Sequence, residues 1–353
     1  MGLLHGALAL MGLAGLLVGL PPAVEQQGPP VATRIRRVMD SLAAHGFSGV
    51  VVVVQGEQTI VAEAYGAADP ETSRPNRLDT RFNLASSAKL FTAMAIRQLA
   101  AAGTVNLDST LGHYWPDYPN AEVAQRVTVG QLLDHTAGIG GSIFDPPAGV
   151  NIASLRHNEQ FVPLFAARPL EFEPGTKTEY SNAGYVLLGG VVQRASGTDY
   201  YRYIADHVFG PAGMTQSGWF ALDSLPPNTA RGFTREDESP RADTLGRHAR
   251  HLRQDGPSAG PLRANTESLP GRGSAAGGGY STAPDLVRLL QAIRAGRVAG
   301  AASDFVQGGG SPGVNTWIAH NRPAGYDIVV LANADPPAAL QALKAIWAEL
   351  RTP

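Results

Sequence analysis

The spacing of apolar residues changes from a helical to a strand pattern along the first part of the chain. Between residues 35 and 42 apolar side chains recur every three or four positions, which predicts a helix that ends at Gly46. Residues 50–54 and 59–64 are mostly apolar and flank the polar turn 55–58, which predicts a β-hairpin. A helix followed by a hairpin indicates the start of an α+β layer.

A second helical pattern runs through residues 86–102 and ends at Gly103, a common C-terminal cap. Its apolar positions predict a mostly buried helix, and they are Leu90, Phe91, Met94, Ala95 and Leu99. Short helical segments separated by Pro- and Gly-rich loops follow between residues 106 and 264, and Thr128 with Gln131 fits a capping box in one of them. We interpret this part as an inserted helical region.

The C-terminal third returns to strand and helix patterns after an irregular stretch. Residues 235–273 are rich in Arg, Ser, Gly and Pro with little apolar periodicity, which predicts a long surface excursion. A helix at 284–295, strands at 314–320 and 327–332, and a final helix at 337–350 are predicted next. The sheet therefore closes with C-terminal strands and a helix.

These elements predict one α/β domain made from both ends of the chain. Residues 31–105 and 265–353 form it, and residues 106–264 form the helical insertion. Residues 1–24 are a leader and 25–30 a polar linker.

The leader is apolar from residue 7 to residue 20, which is typical of a signal peptide. The run is short for a membrane span, which needs roughly 20 apolar residues. It has no Lys or Arg before the apolar run, and Pro21 fits poorly in a cleavage site that ends at Ala23. An uncleaved N-terminal anchor is therefore the alternative. Both interpretations predict a periplasmic or secreted body, with membrane contact through the N-terminal segment only.

Composition excludes several function classes. The 353 residues are 44% hydrophobic with a net charge of -2, which suits a globular protein with a large core and argues against nucleic-acid binding. There is no cysteine, so disulfides, thiolate catalysis and Cys-ligated zinc are excluded. The nine histidines are scattered, and the pair His248 and His251 lacks a third ligand, so we expect no metal and no cofactor.

Ser86 and Lys89 are the first candidates for chemistry. Three residues apart in a helix, they share a face, and their side chains can form a hydrogen bond. The chain has only three lysines against 25 arginines, and Lys89 lies within an apolar run. A desolvated lysine can lose its proton near neutral pH, whereas arginine cannot. The alternatives are a helix cap for Ser86 and a structural ion pair for Lys89.

Two further segments offer groups that could act with this pair. Tyr180 could relay a proton to Ser86, and Asn182 could orient Lys89 and a substrate carbonyl, although Asn182 could instead be a helix N-cap. The run from Gln307 to Gly313, which includes Gly309 and Gly310, precedes the strand at 314–320. Such glycines let a substrate lie close to a strand edge and could supply an oxyanion donor, although a loose turn is the alternative.

Several blocks around these residues resemble the serine β-lactamase superfamily, especially class C β-lactamases and the related DD-peptidases and esterases. They are FNLASSAKLFT (82–92), QLLDHTAG (131–138), EPG (173–175), YSNAGY (180–185) and GPAGM (210–214). The resemblance covers roughly residues 31–353. It implies an antiparallel sheet flanked by helices, with an inserted, mostly helical region and the active site between them.

The resemblance also implies roles for the candidate residues. Ser86 is the nucleophile, and Lys89 with Tyr180 accepts and returns the proton. The backbone N–H groups of Ser86 and Gly310 hold the oxyanion. His135, at the end of a capped helix, is expected to form a structural hydrogen bond.

The sequence departs from the family pattern at the third motif. Gln307 stands where relatives usually have Lys or His, and a neutral amide favours uncharged esters or small amides over carboxylate-bearing substrates. The segment 296–306 is shorter than in relatives, which predicts the loss of a sheet edge or pocket wall. We therefore expect a serine hydrolase acting on esters, amides, peptides or β-lactam-like compounds. The alternative is a catalytically silent penicillin-binding-like protein that binds cell-wall fragments or a protein partner.

Overall fold

The computed structural model describes residues 29–144, 146–235 and 260–352. The leader, most of the Arg-rich excursion and the pair His248 and His251 lie outside the described residues. Within these three segments, no helix has both the length and the apolar character needed to span a membrane.

Eleven strands are described, and five of them form the main sheet. In chain order the strands are β1 (Gly49–Gln55), β2 (Gln58–Tyr65), β3 (Ala67–Asp69), β4 (Arg74–Pro75), β5 (Phe82–Asn83), β6 (Phe233–Thr234), β7 (Arg263–Ala264), β8 (Tyr280–Ser281), β9 (Asp304–Ser311), β10 (Val314–Asn321) and β11 (Tyr326–Ala332). The main sheet is antiparallel in the order β2-β1-β11-β10-β9. The strands β3 and β4, β5 and β8, and β6 and β7 form two-stranded pairs.

Helices cover both faces of the main sheet. They are α1 (Val31–Ala44), α2 (Lys89–Ala101), α3 (Leu111–Tyr114), α4 (Ala121–Arg126), α5 (Val129–Leu133), α6 (Asn182–Ser196), α7 (Tyr200–Ile204), α8 (Gly210–Ala212), α9 (Ala283–Arg294) and α10 (Ala338–Arg351). The terminal helices α1 and α10 pack together, and α10 also packs on β10 and β11. Helix α9 packs on β1 and β11.

The valines of β1 show why the first strand is apolar throughout. Successive side chains of a strand point to opposite faces. Val51 and Val53 therefore enter the core beneath α1 and α10, whereas Val50 and Val52 enter the larger core that contains α2, α6 and α9. Because both faces are covered, β1 has no alternating polar positions.

The predicted fold class is confirmed, and most predicted elements appear with small shifts at their ends. The predicted hairpin is β1 and β2, and the helix predicted from residue 86 begins with a 3-10 turn, Ala85–Ala88, before α2. The capping box of Thr128 and Gln131 is present at α5. The domain boundaries stay a prediction.

The glycine-rich run from residue 307 differs from its predicted position. Rather than preceding a strand as a loop, it lies within β9 and pairs with β10, with Gln307 opposite Ile318 and Gly309 opposite Thr316. The strand β9 forms one edge of the main sheet despite the short segment before it, and the loss of a sheet edge or pocket wall relative to the relatives stays a prediction.

Candidate active site

Ser86 lies at a sharp turn between β5 and α2. The preceding residue, Ala85, has φ 43°, a left-handed conformation that residues other than glycine rarely adopt. The turn is held from both sides: the Ala85 N–H donates to Asn83 Oδ1 at 2.8 Å, and the Gly278 N–H donates to the Ala85 carbonyl at 3.2 Å. This turn leaves Ser86 half-buried at the start of the helical segment.

Lys89 is enclosed beside Ser86, with 2% of its surface exposed. Its Nζ is 3.2 Å from Ser86 Oγ and donates to Asn182 Oδ1 at 2.6 Å and to the Ala276 carbonyl. Burial disfavours the ammonium form and lowers the pKa of Lys89 well below its usual value. The pair predicted from sequence is therefore in hydrogen-bond contact, and among the described residues the oxygens around Lys89 Nζ belong to Ser86, Asn182 and Ala276, none of them a carboxylate. Within the described part of the chain, this excludes the structural ion pair that was the alternative role for Lys89.

Tyr180 is the second side chain in contact with Ser86. Its hydroxyl donates to Ser86 Oγ at 2.6 Å. Burial raises the pKa of Tyr180, and the hydrogen bond with Ser86 offsets this only in part. The phenol is therefore protonated at neutral pH and is suited to donating a proton, while a neutral Lys89 is suited to accepting one.

Asn182 contacts Lys89 and does not cap helix α6. Its side-chain oxygen accepts from Lys89, whereas the N-cap of α6 is Ser181, whose Oγ accepts from the Gly184 N–H at 3.0 Å. The N-cap interpretation of Asn182 is therefore wrong, and its predicted contact with Lys89 is present.

His135 forms the structural hydrogen bond expected from sequence. Its Nδ1 accepts from the Ser181 N–H at 3.2 Å, and its ring lies 4.8 Å from the Tyr180 ring and 4.9 Å from the Tyr185 ring. Burial, together with nearby Lys89, lowers the pKa of His135 to about 4. A neutral imidazole that accepts at Nδ1 carries its proton on Nε2. His135 thus supports the Tyr180 side of the site as a neutral ring.

A loop at residues 274–277 provides a contact that the sequence analysis missed. It presents the Ala276 carbonyl to Lys89. The neighbouring Ala275 is held at both backbone groups: its N–H donates to Asn158 Oδ1 at 2.9 Å, and its carbonyl accepts from Thr92 Oγ1 at 2.6 Å. The glycine-rich run 273–279 was the available signal, but a role played by a backbone carbonyl has no side-chain signature.

The edge strand β9 lies against the turn that carries Ser86. At Gly309 a Cβ atom would lie 2.3 Å from the Leu84 carbonyl oxygen and 2.6 Å from the Ser87 nitrogen, so only glycine allows this approach. The Ser87 and Thr316 hydroxyls are 2.9 Å apart and join the turn to β10. The Gln307 amide donates weakly to the Ser86 carbonyl at 3.4 Å.

This arrangement leaves the backbone N–H of Ser86 available. Among the described residues, the Ser86 N–H donates to no protein oxygen. Gly310 follows Gly309 on β9 and is partly exposed. The structure thus brings together Ser86, Lys89, Tyr180, Asn182 and the β9 segment. In the three described segments, no group of three or more His, Asp or Glu side chains could hold a metal ion.

The chain matches the family model described as Beta-lactamase over residues 32–306. It is 31% identical over 292 residues to esterase EstB of Burkholderia gladioli, covering 78% of this chain and 73% of that protein. It is 30% identical over 203 residues to the putative penicillin-binding protein PbpX of Bacillus subtilis, covering 58% of this chain and 49% of that protein.

A solved structure of a related protein is similar to this one across most of the chain. A penicillin-binding protein from Bacillus halodurans superposes with a TM-score of 0.73 at 30% identity, covering 89% of this chain and 99% of that chain. The match to PbpX is partial, because this chain spans about half the length of that protein.

Proposed function

Because the chain belongs to the β-lactamase family, we propose that it is a serine hydrolase that forms an acyl-enzyme on Ser86. The observation that carries the proposal is the position of Ser86 Oγ, 3.2 Å from Lys89 Nζ and 2.6 Å from the Tyr180 hydroxyl. One neighbour is suited to accepting the serine proton and the other to returning a proton, which is what acyl transfer requires.

Acylation begins with transfer of the Ser86 hydroxyl proton to the neutral Lys89 amine. The serine oxygen bonds to the substrate carbonyl carbon, and negative charge moves to the carbonyl oxygen. The N–H groups of Ser86 and Gly310 stabilise that charge. As the intermediate collapses, the bond to the leaving group breaks, and Tyr180 protonates the leaving oxygen or nitrogen while Lys89 restores the phenol.

Deacylation repeats these steps with water as the nucleophile. Water gives its proton to the Lys89 and Tyr180 pair and attacks the acyl carbonyl. The serine oxygen leaves and takes the proton back, which releases a carboxylic acid and restores Ser86.

The proposed substrates are uncharged esters and small amides. Gln307 supplies a neutral amide on the strand beside Ser86, whereas a cationic side chain there would attract a substrate carboxylate. The relative EstB is named an esterase, which supports an ester substrate for this chain.

The proposal is tested by mapping covalent adducts. The purified protein is incubated separately with a fluorophosphonate, a short-chain nitrophenyl ester and a penicillin, and any mass increase is located by peptide mapping. We expect an adduct on Ser86 from the first two reagents. Ser86→Ala should prevent it, whereas Ser303→Ala, at an exposed serine before β9, should not. Absence of a Ser86 adduct from all three reagents contradicts the proposal.

A catalytically silent binding protein is the second candidate. The observation that favours it is Gln307, which replaces a substrate-attracting cation with an amide already engaged by the Ser86 carbonyl. The two candidates differ in turnover. Ester hydrolysis that Ser86→Ala lowers by about 1,000-fold or more would exclude the silent protein, whereas equal rates for the two proteins would support it.

A further inference from the structure

A cavity of about 310 Å³ lies beside Trp219. Its lining consists of Arg156, Trp219, Phe220, Ala221, Ser224 and Arg272, and none of these residues belongs to the Ser86 site. The volume is at the lower end of the range for small-molecule pockets, roughly 300 to 1,000 Å³. The cavity combines two guanidinium groups with the aromatic residues Trp219 and Phe220.

Arg272 is held in place without a carboxylate partner. Its Nε donates to the Trp219 carbonyl at 3.0 Å, and its guanidinium lies 3.8 Å from the centre of the Tyr201 ring. No Asp or Glu side chain pairs with it in the described part of the chain. Among the described residues, its terminal nitrogens donate to no protein oxygen, so they can donate to a ligand from a side chain that is already oriented.

Arg156 adds a second positive charge that is only partly compensated. Its Nη2 donates to Asp223 Oδ2 at 2.8 Å, and its Nη1 donates to the carbonyls of Ala153 at 2.6 Å and Leu155 at 3.2 Å. The Asp223 side chain is 66% exposed, so solvent weakens its pairing with Arg156. The cavity thus has two arginines and one adjacent, solvated carboxylate.

We propose that this cavity binds a small carboxylate anion that carries an aromatic group. A guanidinium fork matches the geometry of a carboxylate and forms charge-assisted hydrogen bonds with it. The partly exposed Phe220 ring offers apolar contact to the aromatic part of the same ligand. This site is separate from the proposed hydrolase activity and requires no chemistry at Ser86.

The probe for this site is phenylacetate, with the uncharged phenylacetamide as its comparison. Isothermal titration calorimetry of the full-length protein should show one phenylacetate per chain and weaker binding as sodium chloride increases. Arg272→Gln should weaken phenylacetate binding about tenfold or more, because a charge-assisted hydrogen bond is lost. Phenylacetamide should bind at least about tenfold more weakly than phenylacetate to the unaltered protein.

Two further variants keep the test decisive. Ser224→Trp fills the cavity from an exposed position at its rim and should abolish binding even if Arg272→Gln folds poorly. Arg37→Gln removes an exposed arginine from α1 and should leave binding unchanged. Equal binding to the unaltered protein, Arg272→Gln and Ser224→Trp overturns the proposal, as does no binding to the unaltered protein. Because the titration measures no turnover, these outcomes are independent of whether Ser86 is acylated.

Discussion

At the scale of single residues, the amine of Lys89 is surrounded by oxygens and by aromatic rings. Its Nζ lies 4.7 Å from the centre of the Tyr180 ring and 5.4 Å from that of Tyr185. The faces of such rings favour a cation, but the burial of the amine outweighs them and lowers the pKa of Lys89. Lys89 is therefore the group whose protonation should set the lower pH limit of activity.

The first prediction concerns this pH limit. Since the pKa of Lys89 lies well below 10.5 and only the neutral amine accepts the serine proton, kcat/KM should rise with pH and level off well below that value. His135, with a pKa of about 4, stays neutral over this range. The measurement is ester hydrolysis from about pH 5 to about pH 9, a range in which a buried lysine can titrate.

Lys89→Arg tests the same assignment with a matched control. Arginine stays charged and should lower kcat/KM by about 1,000-fold or more. Lys177→Arg changes an exposed lysine paired with Glu179 and should have no effect. Comparable activity in the two variants would show that Lys89 is not the proton acceptor.

The second prediction concerns position 307. Gln307→Lys places a cation beside Ser86 and should raise acylation by carboxylate-bearing esters relative to neutral esters by about tenfold. The measurement is the ratio of kcat/KM for two nitrophenyl esters that differ only in a terminal carboxylate.

Gln58→Lys supplies the control for position 307. It adds the same charge at an exposed position at the start of β2 and should leave the ratio unchanged. If both variants changed the ratio equally, net charge rather than position 307 would determine the preference.

At the scale of elements, the loop at residues 274–277 depends on a residue far from it in sequence. Asn158 donates to the Val186 carbonyl of α6 at 2.9 Å and accepts from Ala275, so it joins the loop to the helix that begins with Asn182. Asn158 is 3% exposed, so its amide is shielded from competing water. We expect it to act as a positioning residue for Lys89.

The third prediction tests this role. Asn158→Ala should slow single-turnover acylation about tenfold, and the lower pH limit of acylation should move to lower pH, because the ammonium form of Lys89 loses a fixed carbonyl acceptor. The measurement is the acylation rate constant as a function of pH at a temperature where the variant is folded.

Asn120→Ala is the matched control for Asn158. Asn120 also donates from its amide to loop carbonyls, those of Ala166 and Arg168, but it lies outside the site. This variant should lose stability without changing the pH dependence of acylation. A purely structural role for Asn158 would give the same result in both variants.

The sequence predicted those parts of the site in which local spacing carries the information. Ser86 and Lys89 share a helix face, so a three-residue interval was enough to pair them. Asn182 was ambiguous because a cap and a ligand use the same amide, and only the fold shows that Ser181 is the cap. Residue 276 acts through its backbone, and its identity as alanine gave no information.

The helices and strands were likewise predictable where local spacing carries the information. Periodicity located α2 and the β1 hairpin because their apolar side chains recur at regular intervals within each segment, although the cores that they enter include residues distant in sequence. It did not show that the glycines of β9 form a strand, since glycine has low strand propensity and its pairing partner, β10, is what fixes this segment.

At the scale of the whole molecule, the main sheet separates two hydrophobic cores. One core lies between the sheet and the terminal helices α1 and α10, and the other contains the helices around Ser86 and Lys89. The first core is built from the two ends of the described chain. Arg34 of α1 reinforces it through Glu349 of α10 at 3.1 Å.

The fourth prediction follows from this separation. Ile346→Ala removes a fully buried side chain from α10 and should lower the free energy of unfolding by about 2 to 5 kcal/mol. The pH dependence of ester hydrolysis should stay the same, because the substitution lies across the sheet from Lys89. Chemical denaturation and a pH profile of the same variant measure both. A shifted pH profile would show that the two cores are coupled.

The contact of Gly309 with Leu84 and Ser87 has a consequence for how this protein can diverge. Main chain meets main chain there, so the spacing between the edge strand and the turn that carries Ser86 is set by backbone contact, to which the Gln307 side chain adds only its weak 3.4 Å hydrogen bond to the Ser86 carbonyl. Substitutions at residue 307 can therefore change the substrate preference while the distance between β9 and the turn that carries Ser86 stays the same. The close approach makes substrate preference evolvable independently of catalytic geometry.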